Sequence, residues 1–374
     1  MRIVLVQFYN YHEEVLAPQV DFLLPDNDVF IAAPVSVFEN YYIKTFDSYI
    51  KKIVFNNRSY DVHKNRYVIH RFVSILIKYI RLFNHVKKQR IDLIVFNTIT
   101  KDFHFTFIKF FFKKVEMVHI IHNAQNYTTE KAIRQLSMFK KNLFISYDVY
   151  NFYINNICKN KNKSFFGWFL PTLINFTSQD DMEIFSEIII VVPGSVDYGR
   201  RNYKGFFEAI VSIPPPPPFI PMRIILLGKC PAEVQRQIMN MGLSDFIKTY
   251  TEYVPPQEML YYIENADAIA FLIDKDIGEN YYLYNKYKAS GTSVLCLSFS
   301  IPCIVSSDFL LDSGLLEKAV IYPETHIENV LSDIINGKLS KDYFRKLKNI
   351  SVSEIYSYQY QRLHYREMLL GDKI

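Results

Sequence analysis

The feature that most constrains this chain is an alternation. Twelve short, almost wholly apolar runs are separated by stretches with helical character. In the first half the runs are 2–8 (RIVLVQF), 28–33, 52–56, 92–97, 116–122 and 142–146. In the second they are 187–192 (EIIIVV), 223–228, 246–251, 267–273, 302–307 and 319–323. A strand with one wet face alternates polar and apolar residues, whereas a strand covered on both faces is apolar throughout, as in parallel sheets flanked by helices. The pattern predicts an α/β chain of two doubly wound domains. Apolar patterning lapses at about 172–186 (TLINFTSQDDMEIFS), which divides the chain into residues 1–178 and 179–350. A last helix within 351–374 is expected to pack back across that boundary. At 374 residues the chain suits two cores of ordinary size, and 49% apolar with 22% charged residues is a globular composition.

Several function classes are excluded early. The four cysteines, Cys158, Cys230, Cys296 and Cys303, lie in or beside apolar stretches without CxxC or Cys/His spacing, so no zinc site, no other metal site and no disulfide framework is expected. The opening MRIVLVQFYN reads as a first strand rather than a signal peptide. Longer apolar runs are interrupted by charge, as by Lys78, Arg81 and Lys109, so no membrane span and a cytoplasmic location are expected. Neither half carries GxGxxG after its first strand, and no Walker pattern occurs, which removes dinucleotide oxidoreductases and P-loop ATPases. The five consecutive prolines of 213–221 (IPPPPPFIP) read as a stiff loop.

The second half carries a phosphate signature. After the run 187–192 comes PGSVDYGRRNYKGFF, which places Arg200, Arg201 and Lys204 at a strand's exit and the mouth of the next helix. Arg201 and Lys204, three apart, are expected on one helical face. Further on, NKYKASGTSVLCLSF sets Lys288 ahead of a Ser290–Gly291–Thr292 cluster and an apolar helix. The first N–H groups of a helix lack intrahelical partners and the helix dipole favours an anion there, so this mouth is suited to phosphate.

These pieces together resemble the two-domain GT-B glycosyltransferases, most nearly the family 4-like group. The resemblance is carried by VHIIHNAQ, which ends in the neighbourhood of His122, by VVPGSVDYGRRNYKGFFEAI, by IILLGK, by EYVPPQEMLYYIENADAIAFLI and by NKYKASGTSVLCLSFSIPCIVSS, in the family's order. It implies two Rossmann-like domains facing a cleft, and transfer of a sugar from a nucleoside diphosphate sugar to an acceptor hydroxyl on a glycan or lipid-linked acceptor, in bacterial surface polysaccharide or glycan assembly. No cofactor and no metal are implied. Gly194, Arg200, Arg201, Lys204, Lys288, Ser290, Gly291 and Thr292 would hold the donor diphosphate. His122 would lie beside the donor sugar, and Glu13, Glu14 or His122 would supply a base if the anomeric configuration inverts. Two departures stand out. The family's ribose-binding glutamate falls on Leu295 or Cys296, which leaves Glu279 as the candidate for ribose, and the glycine-rich loop after the first strand is replaced by QFYNYHEEVLAPQ.

Other readings remain open at this stage: a 2-epimerase acting on a nucleotide sugar, or a non-catalytic two-domain binding or scaffold protein. The net charge is +5, and between Asp61 and Asp92 lie eight Lys or Arg and no carboxylate, interleaved with YVIHRFVSILIKYIRLF. A second basic cluster, KNKNK, spans 159–163. An anionic membrane surface is therefore a candidate partner, with a peripheral position on the inner face of the plasma membrane. Nucleic acid is not expected, because no compact binding motif accompanies the charge.

Overall fold

The computed structural model describes residues 1–9, 12–55, 68–97, 99, 102–158, 166–173, 185–213 and 222–371. The polyproline tract 214–221, the basic segment 159–163 and the stretch 174–184 lie outside them, as do the side chains of Glu13 and of residues 68–71. The chain separates into two compact units. One is Met1–Pro171 with the residues from Gln359 onward, and the other is Thr172–Tyr358.

The first unit is built on a parallel sheet of β1 (Arg2–Val6), β2 (Asp28–Pro34), β3 (Lys51–Phe55), β4 (Leu93–Phe96), β5 (Glu116–Ile121), β6 (Lys141–Phe144) and β7 (Phe166–Trp168), in the order β3-β2-β1-β4-β5-β6-β7. The second holds β8 (Ile188–Pro193), β9 (Met222–Lys229), β10 (Ile247–Tyr250), β11 (Ala268–Ala270), β12 (Cys303–Ser306) and β13 (Ala319–Tyr322), in the order β10-β9-β8-β11-β12-β13, again all parallel. Both sheets are thus Rossmann-like. Each winds outward from its first strand and then reverses, so each has a switch point, between β1 and β4 and between β8 and β11. Loops leave the carboxyl ends of neighbouring strands in opposite directions there, and a crevice opens where ligands of such sheets bind.

The expected apolar runs form twelve of these strands, and their burial explains why. Ile3, Val4, Leu5 and Val6 of β1 and Ile189, Ile190, Val191 and Val192 of β8 are all 0% exposed, so neither face has room for a polar side chain. The thirteenth strand, β7, was not expected. It is three residues long, pairs Asn142 with Phe166 and Phe144 with Trp168, and has Gly167 at its centre. Helix Tyr358–Leu370 packs on it. Tyr365, 0% exposed, meets the rings of Phe169 (4.6 Å) and Phe22 (5.7 Å), Gln361 Oε1 accepts the Leu170 amide (2.6 Å), and Arg366 pairs with Asp26 (2.6 Å). A Cβ on Gly167 would lie 2.9 Å from Met368 Sδ, so the glycine lets this helix approach. Among the described residues no helix is long and apolar enough to cross a membrane.

Candidate functional site

In the second unit the site grows from two glycines. Gly194 leaves β8 with φ +93°, a conformation that L side chains rarely adopt. On the neighbouring strand, a Cβ on Gly228 would lie 2.1 Å from the Gly194 carbonyl oxygen. The absence of both side chains lets the exit loop lie flat on β9, where Gly194 N donates to Leu227 O (3.0 Å) and Val196 N to Lys229 O (3.1 Å). The loop is then tied across the switch point to the exit of β11. Asn202 N donates to Leu272 O (2.8 Å), its Nδ2 donates to Asp274 Oδ2 (2.9 Å), and its Oδ1 caps helix Tyr203–Ser212 by accepting from Gly205 N (2.9 Å). Asp274 is 3% exposed, and burial raises its carboxyl above the ordinary value.

Arg201 is held in place by this lashing. Its guanidinium packs over Gly194, where a Cβ would come within 3.3 Å of Nη1, and its Nη2 donates to Thr292 Oγ1 at 3.2 Å. Its buried Nε has no hydrogen-bond partner among the described residues. Thr292 lies in the first turn of helix Gly291–Phe299, whose N-cap Ser290 accepts the Thr292 amide (3.3 Å). The hydroxyl of Ser293 in the same turn is likewise buried without a partner among the described residues. Arg200 Nη2 lies 3.4 Å from the hydroxyl of Tyr284 on helix Glu279–Lys286. Lys288 Nζ lies 5.1 Å from the centre of the same ring. Burial alone would raise the Tyr284 phenol, but Lys288, Arg200 and Arg201 together outweigh it and hold the phenol below the ordinary tyrosine value. Arg200, Arg201 and Lys288 thus form one cluster of positive charge, with Arg201 at the mouth of helix Gly291–Phe299 and the other two on Tyr284. Their mutual repulsion is relieved by an anion, and their donors suit phosphate oxygens.

One expected member stands apart. Arg201 precedes the helix, so it shares no helical face with Lys204, which is 73% exposed and 3.9 Å from Glu208 on its own helix. Glu279 opens helix Glu279–Lys286 as an exposed first-turn residue. Leu295 and Cys296, where the resembling family has its glutamate, are both buried.

In the first unit three polar side chains gather at the exits of β1 and β5. His122 directly follows β5. Its ring lies 4.3 Å from that of His12, centroid to centroid, at an interplanar angle of 31°. His12 occupies the position before helix Glu13–Leu23 in a left-handed conformation, φ 69°, and its Nδ1 is 3.1 Å from Glu14 Oε1. Nearby, at the exit of β4, the buried Asn97 amide is fixed by two hydrogen bonds with Gln19 (2.6 and 3.1 Å). Glu13 is the first residue of its helix. His12 was missed by sequence reasoning. Its only signal there is its position beside Glu13 and Glu14, whereas its nearness to His122 depends on the order of strands in the sheet.

No family model matches the chain, and no curated protein matches its sequence. Solved structures do match in fold. HepE from Anabaena, in complex with UDP and glucose, superimposes with a TM-score of 0.67 at 12% identity, over 99% of both chains. A glycosyltransferase from Rickettsia africae gives 0.65 at 12% identity, also over 99% of both. A UDP-GlcNAc 2-epimerase from Neisseria meningitidis, bound to UDP-GlcNAc, gives 0.65 at 14% identity over 100% of both. The chain therefore has the GT-B fold.

Proposed function

We propose that the chain is a nucleotide-sugar enzyme, and specifically a glycosyltransferase that passes a sugar from a nucleoside diphosphate sugar to an acceptor hydroxyl. The observation that carries the reading is a cluster of cations, Arg201 on the Thr292 hydroxyl at the mouth of helix Gly291–Phe299 and Arg200 and Lys288 on the side chain of Tyr284, which feels the charge of all three. When the sugar departs, negative charge builds on the leaving diphosphate. Cations and amides already fixed around it stabilise that charge without reorganising, and need no metal to do so. Ser290, Gly291 and Gly194 would leave their backbone close to the phosphates, and Glu279 would reach the ribose.

On the acceptor side, His12 is the base, with Glu14 orienting its Nδ1 and the His122 ring packed against it. Proton removal from the acceptor by His12 goes with inversion at the anomeric carbon. If the configuration is instead retained, a donor phosphate oxygen takes the proton and the histidines position the sugar. The likeness to a 2-epimerase supports a second reading, in which the same donor site is used and a base removes a proton from the sugar's C2.

Thermal-shift titration with UDP, GDP, ADP, CMP and dTDP, with and without a chelator, tests the donor site. At least one diphosphate should stabilise the protein, by about 2.7 kcal/mol at a hundredfold excess over Kd. No stabilisation, or stabilisation that a chelator removes, would overturn the metal-independent site. Incubation with the stabilising sugar nucleotide in D2O then separates the two reactions. Transfer or hydrolysis without deuterium at C2 identifies the transferase, and deuterium at C2 the epimerase. His12→Ala should abolish transfer and leave nucleotide binding intact. Full turnover in that variant would remove the base assignment alone.

A further inference from the structure

We propose that helix Val68–Gln89 and the end of helix Asp102–Phe111 form a docking surface for an anionic lipid bilayer. The buried stripe of the first helix, Ile75, Tyr79, Leu82 and Val86, follows the spacing of a helix that covers a sheet. Its other side should then be polar. Instead Val73, Ile77 and Ile80, themselves at helical spacing, are 44%, 55% and 43% exposed, with Phe72 beside them at 45%. The exposed line then continues through Asn84 to Lys87 and Lys88, both exposed. At 1.5 Å per residue, Val73 to Lys88 spans about 22 Å. The neighbouring helix packs against it through Phe72 and Phe107 (5.1 Å) and through Phe83 and Phe111 (5.5 Å), and ends in KFFFKK, with Phe110 74% exposed among Lys109, Lys113 and Lys114.

Charge chooses the occupant. Helix Val68–Gln89 has no carboxylate, so a second copy of the chain docked here would bring lysines against lysines. Aliphatic Val73, Ile77 and Ile80 offer nucleic-acid bases no stacking platform. An anionic bilayer accepts both components, the apolar residues at the acyl boundary and the lysines among the headgroups. Two cations of the run are unavailable for this. Lys78 Nζ reaches Phe8 O (3.4 Å) and Arg81 Nη1 donates to Val54 O (2.8 Å), so both turn toward the sheet.

The proposal is independent of the nucleotide-sugar reading. The test is co-sedimentation of the full chain with vesicles of phosphatidylcholine alone or with phosphatidylglycerol, at low and high salt. Binding is expected only with phosphatidylglycerol and should weaken with salt. Lys87→Gln with Lys88→Gln should lower the partition coefficient roughly 30-fold, and Ile77→Ser with Ile80→Ser should abolish binding, with an unchanged melting temperature confirming the fold. In the native chain, vesicles should slow hydrogen exchange over 72–88. Absence of binding, equal binding by the Ile77→Ser/Ile80→Ser variant, a native dimer that this variant turns into a monomer, or retention by RNA in place of vesicles would each overturn it.

Discussion

Arg201 lies against Gly194 and Thr292, while Lys204, three residues on, is 73% exposed and leans on Glu208. If the cluster holds a diphosphate, Arg201→Ala removes charge-assisted hydrogen bonds of about 1.5–3 kcal/mol and lowers nucleotide affinity about 10- to 100-fold. Lys204→Ala should keep affinity within about fivefold of native. Titration calorimetry on both variants checks this, and equal losses would show that the exposed lysine also reaches the phosphates. A different residue sets the response to acid. His119 is 1% exposed between Tyr127 and the ring of Phe139, and burial, opposed by Asn142 and the Ile99 carbonyl, lowers its pKa to about 3. Below the usual value of about 6.5 the unfolded chain takes up a proton that the folded chain refuses. His119 therefore contributes nothing to the pH dependence above about 6.5, and costs up to about 1.4 kcal/mol of stability per pH unit as pH falls from about 6.5 toward 3. Urea unfolding across that window should be less steep in pH for His119→Phe than for the native chain. A parallel decline in both would assign the acid sensitivity elsewhere.

At the scale of elements, the strands and the cap were legible and the contacts between elements were not. Runs such as 2–8 and 187–192 announce strands buried on both faces, and Ser290 stands as the cap where a Ser–Gly–Thr cluster precedes an apolar helix. Strand β7 was illegible because three residues around a glycine carry no periodicity, and it exists because β6 lies on one side and helix Tyr358–Leu370 covers it. Tyr365→Ala should therefore destabilise the first unit by about 3–5 kcal/mol, the range for a large aromatic ring lost from a core. Chemical denaturation followed through Trp168, which packs 5.3 Å from His364 on that helix, would report it. A native midpoint would mean that the helix is dispensable. Gly228 gives the corresponding test in the second unit. A methyl group 2.1 Å from the Gly194 carbonyl must push the β8 exit away from β9, so Gly228→Ala should weaken nucleotide binding as well as stability. Unchanged affinity would show that the loop's seat on β9 does not shape the site.

For the whole molecule, the decisive fact is that two sheets of the same winding sit in two units with separate cores. The cation cluster belongs wholly to the second, so a bound diphosphate should raise hydrogen-exchange protection there, in β8, β11 and helix Gly291–Phe299, and protection confined to the first unit would contradict the assignment. By itself the sequence determined the fold class, twelve of the strands, the helix start capped by Ser290 and a basic, apolar helix. All of these are local: a strand buried on both faces must be apolar at every residue, an N-cap must present an oxygen to amides two or three residues ahead, and both requirements are written in neighbouring positions. Only the tertiary structure decided that Gly194, Arg201 and Thr292 meet while Lys204 does not, that His12 packs against His122, that Tyr284 joins the cations, and that Lys78 and Arg81 turn inward while Ile77 and Ile80 face out. Those contacts depend on which strands become neighbours and how closely the backbones approach, and no single stretch of the chain carries that information.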